Sequence, residues 1–154
     1  RGKAPTFSPF RTTDEEVAWV VEEIRAAEDM DSIAILAPTN AGVDDWVGRL
    51  RAAGIGSVRL AGYSGRPTPG VKVGTYARSK GLEFKKVFLP GLSDRTFPWG
   101  DRDDMDSMLL QGSMLYVAMS RAKDELNLSY AGRPSMFIDA LLPFVDRVNG
   151  ELQT

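Results

Sequence analysis

Two short segments carry the side chains that could do chemistry. In the first, residues 73–84 (VGTYARSKGLEF), a strand-like run ends in a polar turn and a second apolar strand follows at once. Gly81 allows a ligand to approach the backbone closely, and Glu83 offers a carboxylate that can accept hydrogen bonds from ribose hydroxyls. Donors of the kind that phosphates attract are supplied by Thr75, Arg78, Ser79 and Lys80. Taken alone, the segment is more typical of a solvated turn between two strands.

The second segment, residues 115–126 (LYVAMSRAKDEL), is an apolar helix that ends in Ser-Arg-Ala-Lys before a strand begins. Arg121 lies near the helix end, where a planar and permanently charged guanidinium can be held rigidly toward a partner. An arginine placed in this way can stabilise the charge on a phosphoryl group during its transfer. For this segment alone, a basic helix end that only complements the helix dipole is the simpler interpretation.

The hydrophobic pattern places both segments among alternating strands and helices. Short apolar or alternating runs predict strands at Thr6–Phe10, 32–36, 58–60, 71–75, 86–90 and 125–129. The alternation predicts an α/β fold with a mostly parallel sheet and helices on both faces. In such sheets we expect ligands at the carboxyl ends of the strands.

Four helices are predicted from 3.6-residue periodicity. The first covers about 14–28, with Thr13 as N-cap and Glu16 completing a capping box. The second ends at Gly54, and the last covers 136–148. The apolar stripe of the second helix is Val43, Trp46, Val47 and Leu50. The third helix begins at a Ser107 cap and carries Leu109, Leu110, Met114, Val117 and Ala118.

Composition removes several classes of chemistry. The 154-residue chain, long enough for one domain, has no cysteine and no histidine. Thiol chemistry, disulfides and the commonest general base are therefore excluded. A net charge of −2 argues against strong DNA affinity on its own, but not against one wall of a shared DNA channel. No apolar run approaches the ~20 residues of a membrane span and no signal peptide is recognisable. We expect a cytoplasmic protein that makes no membrane contact.

Together the two segments resemble motifs V and VI of the UvrD/PcrA/Rep-type superfamily 1 DNA helicases. Motif V has the pattern Thr-x-His-x-x-Lys-Gly-Leu-Glu followed by a hydrophobic strand, and motif VI reads Tyr-Val-Ala-x-Thr-Arg-Ala. A third stretch, residues 33–41 (IAILAPTNA), looks like the family's strand ending in Arg-Thr-Asn-Ala. The three stretches occur in the family's order, and the likeness extends from about Phe7 to about Tyr130.

The resemblance implies that residues 1–154 are the second RecA-like motor domain of a longer protein, a three-layer α/β/α sandwich of the P-loop NTPase type. It implies an ATP-dependent 3′-to-5′ DNA helicase or translocase whose ATP lies between two motor domains. Carried over by position, Glu83 contacts the ribose, Gly81 lies beside the nucleotide, and Arg121 reaches the γ-phosphate as the catalytic residue. The positions implied to face single-stranded DNA are Thr75, Arg78 and Ser79, with Thr39 and Asn40 as further contacts to its backbone.

The chain departs from the pattern at several positions. The histidine of motif V is replaced by Ala77, and the arginine before Thr-Asn by Pro38. No Gly-x-x-x-x-Gly-Lys-Ser/Thr phosphate loop is present, and no Asp-Glu pair follows an apolar strand. We therefore expect no metal site, no stable binding of ATP to this chain alone, and dependence on ATP, Mg²⁺ and the first motor domain in the full-length protein.

Three alternatives remain open from the sequence. The full-length protein could be an ATPase of the same family that remodels protein–nucleic-acid complexes without unwinding duplex. The chain could be a non-catalytic interaction module that keeps the fold. An unrelated doubly wound nucleotide-binding domain is the third, although no glycine-rich phosphate loop follows the first strand.

Overall fold

A parallel β-sheet forms the centre of the molecule. The computed structural model describes residues 4–140, and within them six strands pair in the order β1-β6-β5-β2-β4-β3, every pair parallel. The strands are β1 Thr6–Phe10, β2 Ile33–Ala37, β3 Ser57–Arg59, β4 Val71–Thr75, β5 Phe84–Leu89 and β6 Ala122–Ala131. All six strands predicted from the sequence are confirmed, with shifts of a few residues at their ends.

Helices cover both faces of this sheet. They are α1 Thr13–Ala26, α2 Asn40–Ala52 and α3 Met105–Met119, and a further helix includes residues 136–140. The predicted end of that helix, residues 141–148, lies outside the described residues.

Strand β2 shows how the two faces are filled. Its five residues are all buried. Ile33 and Ile35 join the apolar cluster made with α1 and α2, and Ala34 and Leu36 join the cluster made with α3. Alternate side chains of a strand point to opposite faces, so a strand that is apolar throughout belongs between two layers. The predicted three-layer α/β/α sandwich is confirmed.

Helix α1 begins one residue earlier than the sequence suggested. Thr12, not Thr13, is the N-cap, and its side chain accepts a hydrogen bond from the Glu15 backbone N–H at 3.2 Å. Glu16 is buried and does not complete a capping box. Its Oε2 accepts instead from the Gly91 N–H at 2.8 Å and from the Ser129 hydroxyl at 2.6 Å. Because Thr12 and Thr13 are adjacent and either can cap a helix, the sequence could not show which of them is the N-cap.

For α2 the predicted apolar stripe is confirmed. Val43, Trp46, Val47 and Leu50 are its buried residues. Gly54 follows the helix with φ of +75°, a left-handed conformation that glycine adopts without steric cost.

The predicted cap of α3 and part of its predicted face were wrong, although Ala118 is buried and Met114 packs against the core. Asp104, not Ser107, caps the helix, and its side chain accepts from the Ser107 N–H at 3.1 Å. Leu109 and Leu110 are 65% and 61% exposed. The buried stripe is Met108, Gln111, Leu115 and Ala118. This helix is apolar almost all round, so periodicity alone could not select the face that the core uses.

No helix within residues 4–140 combines the length and hydrophobicity that crossing a bilayer requires. Over the same residues, acidic side chains do not gather in groups of three or more that could hold a metal ion.

Candidate functional site

A short crossover connects β4 to β5 and carries most of motif V. We call the side of the sheet where the strands end its carboxyl edge, and the side where they begin its amino edge. Thr75, at the end of β4, pairs with Ala37 at the end of β2, whereas Lys86 in β5 pairs with Ile33 at the start of β2. Residues 76–83 therefore run from the carboxyl edge of the sheet back to its amino edge. A 3-10 turn at Ala77–Ser79 occupies the middle of this path.

Tyr76 anchors the crossover in the core. Its ring is fully buried and meets the ring of Phe97 edge-on, with centroids 5.8 Å apart. The Tyr76 hydroxyl finds no hydrogen-bond partner among the described residues, and burial raises its pKa well above the usual value. The crossover is thus held to the sheet by packing, which fixes where its two ends emerge.

The amino edge brings Gly81, Glu83 and Arg121 together. Arg121 follows Ser120, the C-cap of α3, and directly precedes β6. Its Nη1 donates to the Leu82 carbonyl at 3.2 Å and its Nε to the Val117 carbonyl at 3.0 Å. The Phe84 N–H donates to the Arg121 carbonyl at 2.9 Å. Side chain and backbone of Arg121 are therefore both tied to the turn that holds Gly81 and Glu83.

Gly81 and Glu83 present themselves to solvent at this edge. Gly81 has φ of +84°, a conformation that side chains disfavour, and a Cβ built on it would meet nothing within 4 Å. Open space therefore lies beside the backbone, as close approach of a ligand requires. Glu83 is exposed and its carboxylate lines a cavity of about 580 Å³.

Three lysines line the same cavity, which the sequence did not reveal. Lys85 and Lys123 are exposed, whereas Lys72 is 1% exposed. The Lys72 ammonium donates to the Asp31 and Gly70 carbonyls at 2.8 Å each and also to the Thr68 carbonyl. Burial lowers its pKa. Lys72 therefore holds the loop before β4 in place, and Lys85 and Lys123 are the cations that a ligand could meet.

The carboxyl edge brings together most of the predicted nucleic-acid residues. Thr39, Asn40, Thr75 and Arg78 line one groove of about 560 Å³. The Thr75 hydroxyl oxygen accepts from the Arg78 N–H at 3.1 Å, and the Thr39 side chain caps α2 by accepting from the Gly42 N–H at 3.2 Å. Both hydroxyls keep a hydrogen that can still be donated.

Ser79 is a correction to the predicted set. Its side chain is fully buried and its hydroxyl donates to the Tyr76 carbonyl at 2.7 Å. The hydroxyl serves the 3-10 turn and does not reach the groove surface. The sequence suggested that Ser79 contacts a ligand because it lies in a polar motif. In the structure its hydroxyl is used in a hydrogen bond within the turn.

The two groups of residues lie on opposite edges of the sheet. The expectation that ligands bind at the carboxyl ends of the strands fits Thr39, Asn40, Thr75 and Arg78 only. Gly81, Glu83 and Arg121 lie at the amino ends of β5 and β6, since each precedes its strand. The parallel direction of the strands decides this separation, because the crossover leaves β4 at its carboxyl end and enters β5 at its amino end.

The sequence of this chain is similar to those of known proteins. Residues 63–133 match the family model described as UvrD-like helicase C-terminal domain. The chain is 31% identical over 111 residues to "Putative ATP-dependent DNA helicase YjcD" of Bacillus subtilis (strain 168), a match that covers 68% of this chain and 14% of that protein. It is 44% identical over 57 residues to "Probable DNA helicase" of Mycoplasma pneumoniae, covering 35% of this chain and 11% of that protein.

A solved structure has the same fold. The C-terminal domain of a possible DNA helicase from Lactobacillus plantarum WCFS1 superposes with a TM-score of 0.72 at 25% identity, covering 90% of this chain and 80% of that chain. The RecA-like architecture is thereby confirmed. The chain spans only a small part of the two relatives' length, 14% and 11%. The family match, the relatives and the fold place this chain among the UvrD-like helicase C-terminal domains.

Proposed function

We propose that the chain is the second motor domain of an ATP-dependent 3′-to-5′ DNA helicase or translocase. In this proposal its amino edge forms one wall of the ATP cleft and its carboxyl edge forms part of the single-stranded DNA track. The observation that carries the proposal is the 3.2 Å hydrogen bond from Arg121 to the Leu82 carbonyl. It joins the two motifs across 39 residues of sequence and places Arg121 beside Gly81 and Glu83.

The chemistry of the amino edge suits a nucleoside triphosphate. A guanidinium has five N–H donors. Within residues 4–140, Arg121 uses two of them, in hydrogen bonds to the Val117 and Leu82 carbonyls. The remaining donors can bind phosphate oxygens, and a rigidly held arginine can stabilise the charge that develops there. The carboxylate of Glu83 can accept from ribose hydroxyls, and the open side of Gly81 gives the nucleotide access to the backbone.

In this proposal the wall is insufficient for ATP hydrolysis by itself. The chain has no glycine-rich phosphate loop, and its described residues include no cluster of three or more acidic side chains that could hold Mg²⁺. The proposal therefore requires the first motor domain of the same polypeptide to supply the phosphate loop and the magnesium ligands. The isolated chain should show no ATPase activity and only weak ATP binding.

The carboxyl edge suits a single nucleic-acid strand. No hydrogen bond or ion pair engages the Arg78 guanidinium within residues 4–140, and it lies in the same groove as the hydroxyls of Thr39 and Thr75. The N-terminus of α2 also opens at this edge, where free backbone N–H groups and the helix dipole favour phosphate. With a net charge of −2 over the whole chain, the affinity must come from this local arrangement. The cytoplasmic location stays a prediction.

Strand displacement by the full-length protein tests the proposal. We expect ATP hydrolysis that depends on single-stranded DNA, and unwinding of a duplex with a 3′ single-stranded tail but not of one with a 5′ tail. DNA-dependent hydrolysis without displacement would favour the remodelling ATPase instead. Absence of hydrolysis and of DNA binding in the full-length protein would leave only a non-catalytic module and would refute the proposal.

A further inference from the structure

Trp99 lies in the carboxyl-edge groove, where the sequence gave no reason to place an aromatic residue. Its side chain is 40% exposed, and it lines the groove together with Thr39, Asn40, Thr75 and Arg78. An indole this large is usually covered in a folded protein. An exposed indole that shares a groove with Arg78, whose guanidinium makes no hydrogen bond or ion pair within residues 4–140, indicates a binding surface.

The backbone of Trp99 is held by two hydrogen bonds to one buried side chain. Gln111 in α3 is 1% exposed. Its Oε1 accepts from the Trp99 N–H at 3.0 Å, and its Nε2 donates to the Trp99 carbonyl at 3.0 Å. The same Nε2 donates to the Ser107 hydroxyl at 3.0 Å, so the amide's orientation is fixed. A buried amide bonded to both backbone groups of one residue holds that residue in a single position.

The indole is supported on its inner side as well. The ring of Phe97, which is fully buried, lies 6.0 Å from the Trp99 ring between centroids. Ala77 lines the same groove and contributes only a methyl group, whereas Met114 is its other large apolar side chain. The backbone of Trp99 is therefore fixed, and its indole is a large aromatic surface that lines an open groove.

We propose that the indole of Trp99 is a stacking platform for one base of a bound single strand, while Arg78 and the N-terminus of α2 bind the adjacent phosphates. Base stacking on an aromatic side chain is tolerant of sequence because every base has a π-face. This inference rests on the proposed function and adds a base-stacking residue to a groove whose arginine and hydroxyl groups suit the phosphates of the strand.

Binding to two strands that differ only in their bases separates stacking from charge. Fluorescence anisotropy with the full-length protein would compare a thymidine oligonucleotide with an abasic strand of the same length. Trp99→Ala should raise the Kd for the thymidine strand about fivefold or more, the range that stacking contributions give. It should leave the Kd for the abasic strand unchanged. Trp99→Phe should restore most of the affinity.

Two controls keep the result specific. Met136→Ala removes an apolar side chain of the same 40% exposure that does not line this groove, and it should change neither Kd. Arg78→Ala should weaken binding of both strands alike and reduce the salt dependence, because it removes a phosphate contact. Quenching of tryptophan emission by the thymidine strand should decrease in Trp99→Phe.

Three results would overturn the inference. They are an unchanged Kd for the thymidine strand in Trp99→Ala, an equal loss on both strands, and full quenching without Trp99. If the wild-type protein binds both strands, these results leave the proposed function intact. If the wild type binds neither strand, the proposed function fails and this inference fails with it.

Discussion

Replacing Arg121 by alanine in the full-length protein should lower ATP turnover strongly without unfolding the domain. The structural loss can be bounded from two hydrogen bonds, to the Val117 and Leu82 carbonyls at 3.0 and 3.2 Å. Hydrogen bonds from a charged donor contribute about 1.5–3 kcal/mol each when buried. Arg121 is half-buried, so a total cost of about 1–3 kcal/mol is expected. That is well below the roughly 5–15 kcal/mol of a typical domain.

The catalytic loss should be much larger. Arginines that stabilise a transferring phosphoryl group are worth about 10³–10⁵ in kcat, which corresponds to about 4–7 kcal/mol of barrier. Arg121→Ala should therefore lower kcat at least ~100-fold, a conservative bound from that range. Arg121→Lys can still donate to the carbonyls and should recover stability, but it should not recover turnover, because an ammonium lacks the planar fork.

The assay is DNA-stimulated ATP turnover with saturating ATP, measured beside thermal melting of each variant. Arg51→Ala, at an exposed arginine in the last turn of α2, is the matched control and should behave as wild type. Near-wild-type turnover in Arg121→Ala would remove its catalytic role. If the Arg121→Ala variant melts below the assay temperature, Arg121 has only a structural role, which is to connect α3 to the turn before β5.

Three further substitutions have defined outcomes. Glu83→Ala should mainly raise the KM for ATP, since a ribose contact exists in both ground and transition states; a hundredfold fall in kcat at unchanged KM would contradict this role. Tyr76→Phe should leave stability unchanged or raise it by up to about 1 kcal/mol, because it removes a buried hydroxyl without a partner; a clear loss in urea unfolding would show that the hydroxyl is bonded. Lys72→Met should cost about 1–3 kcal/mol and speed hydrogen exchange in residues 63–70, because three backbone carbonyls lose their donor. Unchanged unfolding and exchange would mean that the loop does not depend on it.

The sequence predicted elements well where the pattern had only one solution. Strand β2 is apolar at every position, which only a two-sided burial explains, and α2 has a single apolar stripe. The face of α3 could not be predicted, because Leu109 and Leu110 are as apolar as the residues that the core selected.

The candidate site was predicted residue by residue but not as an arrangement. The resemblance selected Gly81, Glu83 and Arg121, and their roles stay predictions. Their place on the amino edge, away from Thr75 and Arg78, follows from the parallel direction of β4, β5 and β6, because Thr75 ends one strand whereas the other three residues precede the next two. Ser79 was misassigned because a hydroxyl that serves a turn and one that serves a ligand look alike in sequence.

The position of Trp99 in the groove could not be predicted for a related reason. The stretch around it is rich in glycine, proline and aspartate, which predicts a loop and says nothing about what the loop faces. The hydrogen bonds of Gln111 show that the loop is fixed at Trp99, and only the folded structure shows that this residue lines the groove.

The central claim is that ATP binds at the amino edge of the sheet and DNA at its carboxyl edge. ATP turnover measured against the concentration of single-stranded DNA tests this claim most directly. Arg121→Ala on the amino edge should lower the maximal rate and leave the half-saturating DNA concentration unchanged. Arg78→Ala on the carboxyl edge should raise the half-saturating DNA concentration and leave the maximal rate near that of the wild type. If both substitutions alter the same parameter, or if each alters the one assigned to the other, the assignment of ATP and DNA to opposite edges is wrong.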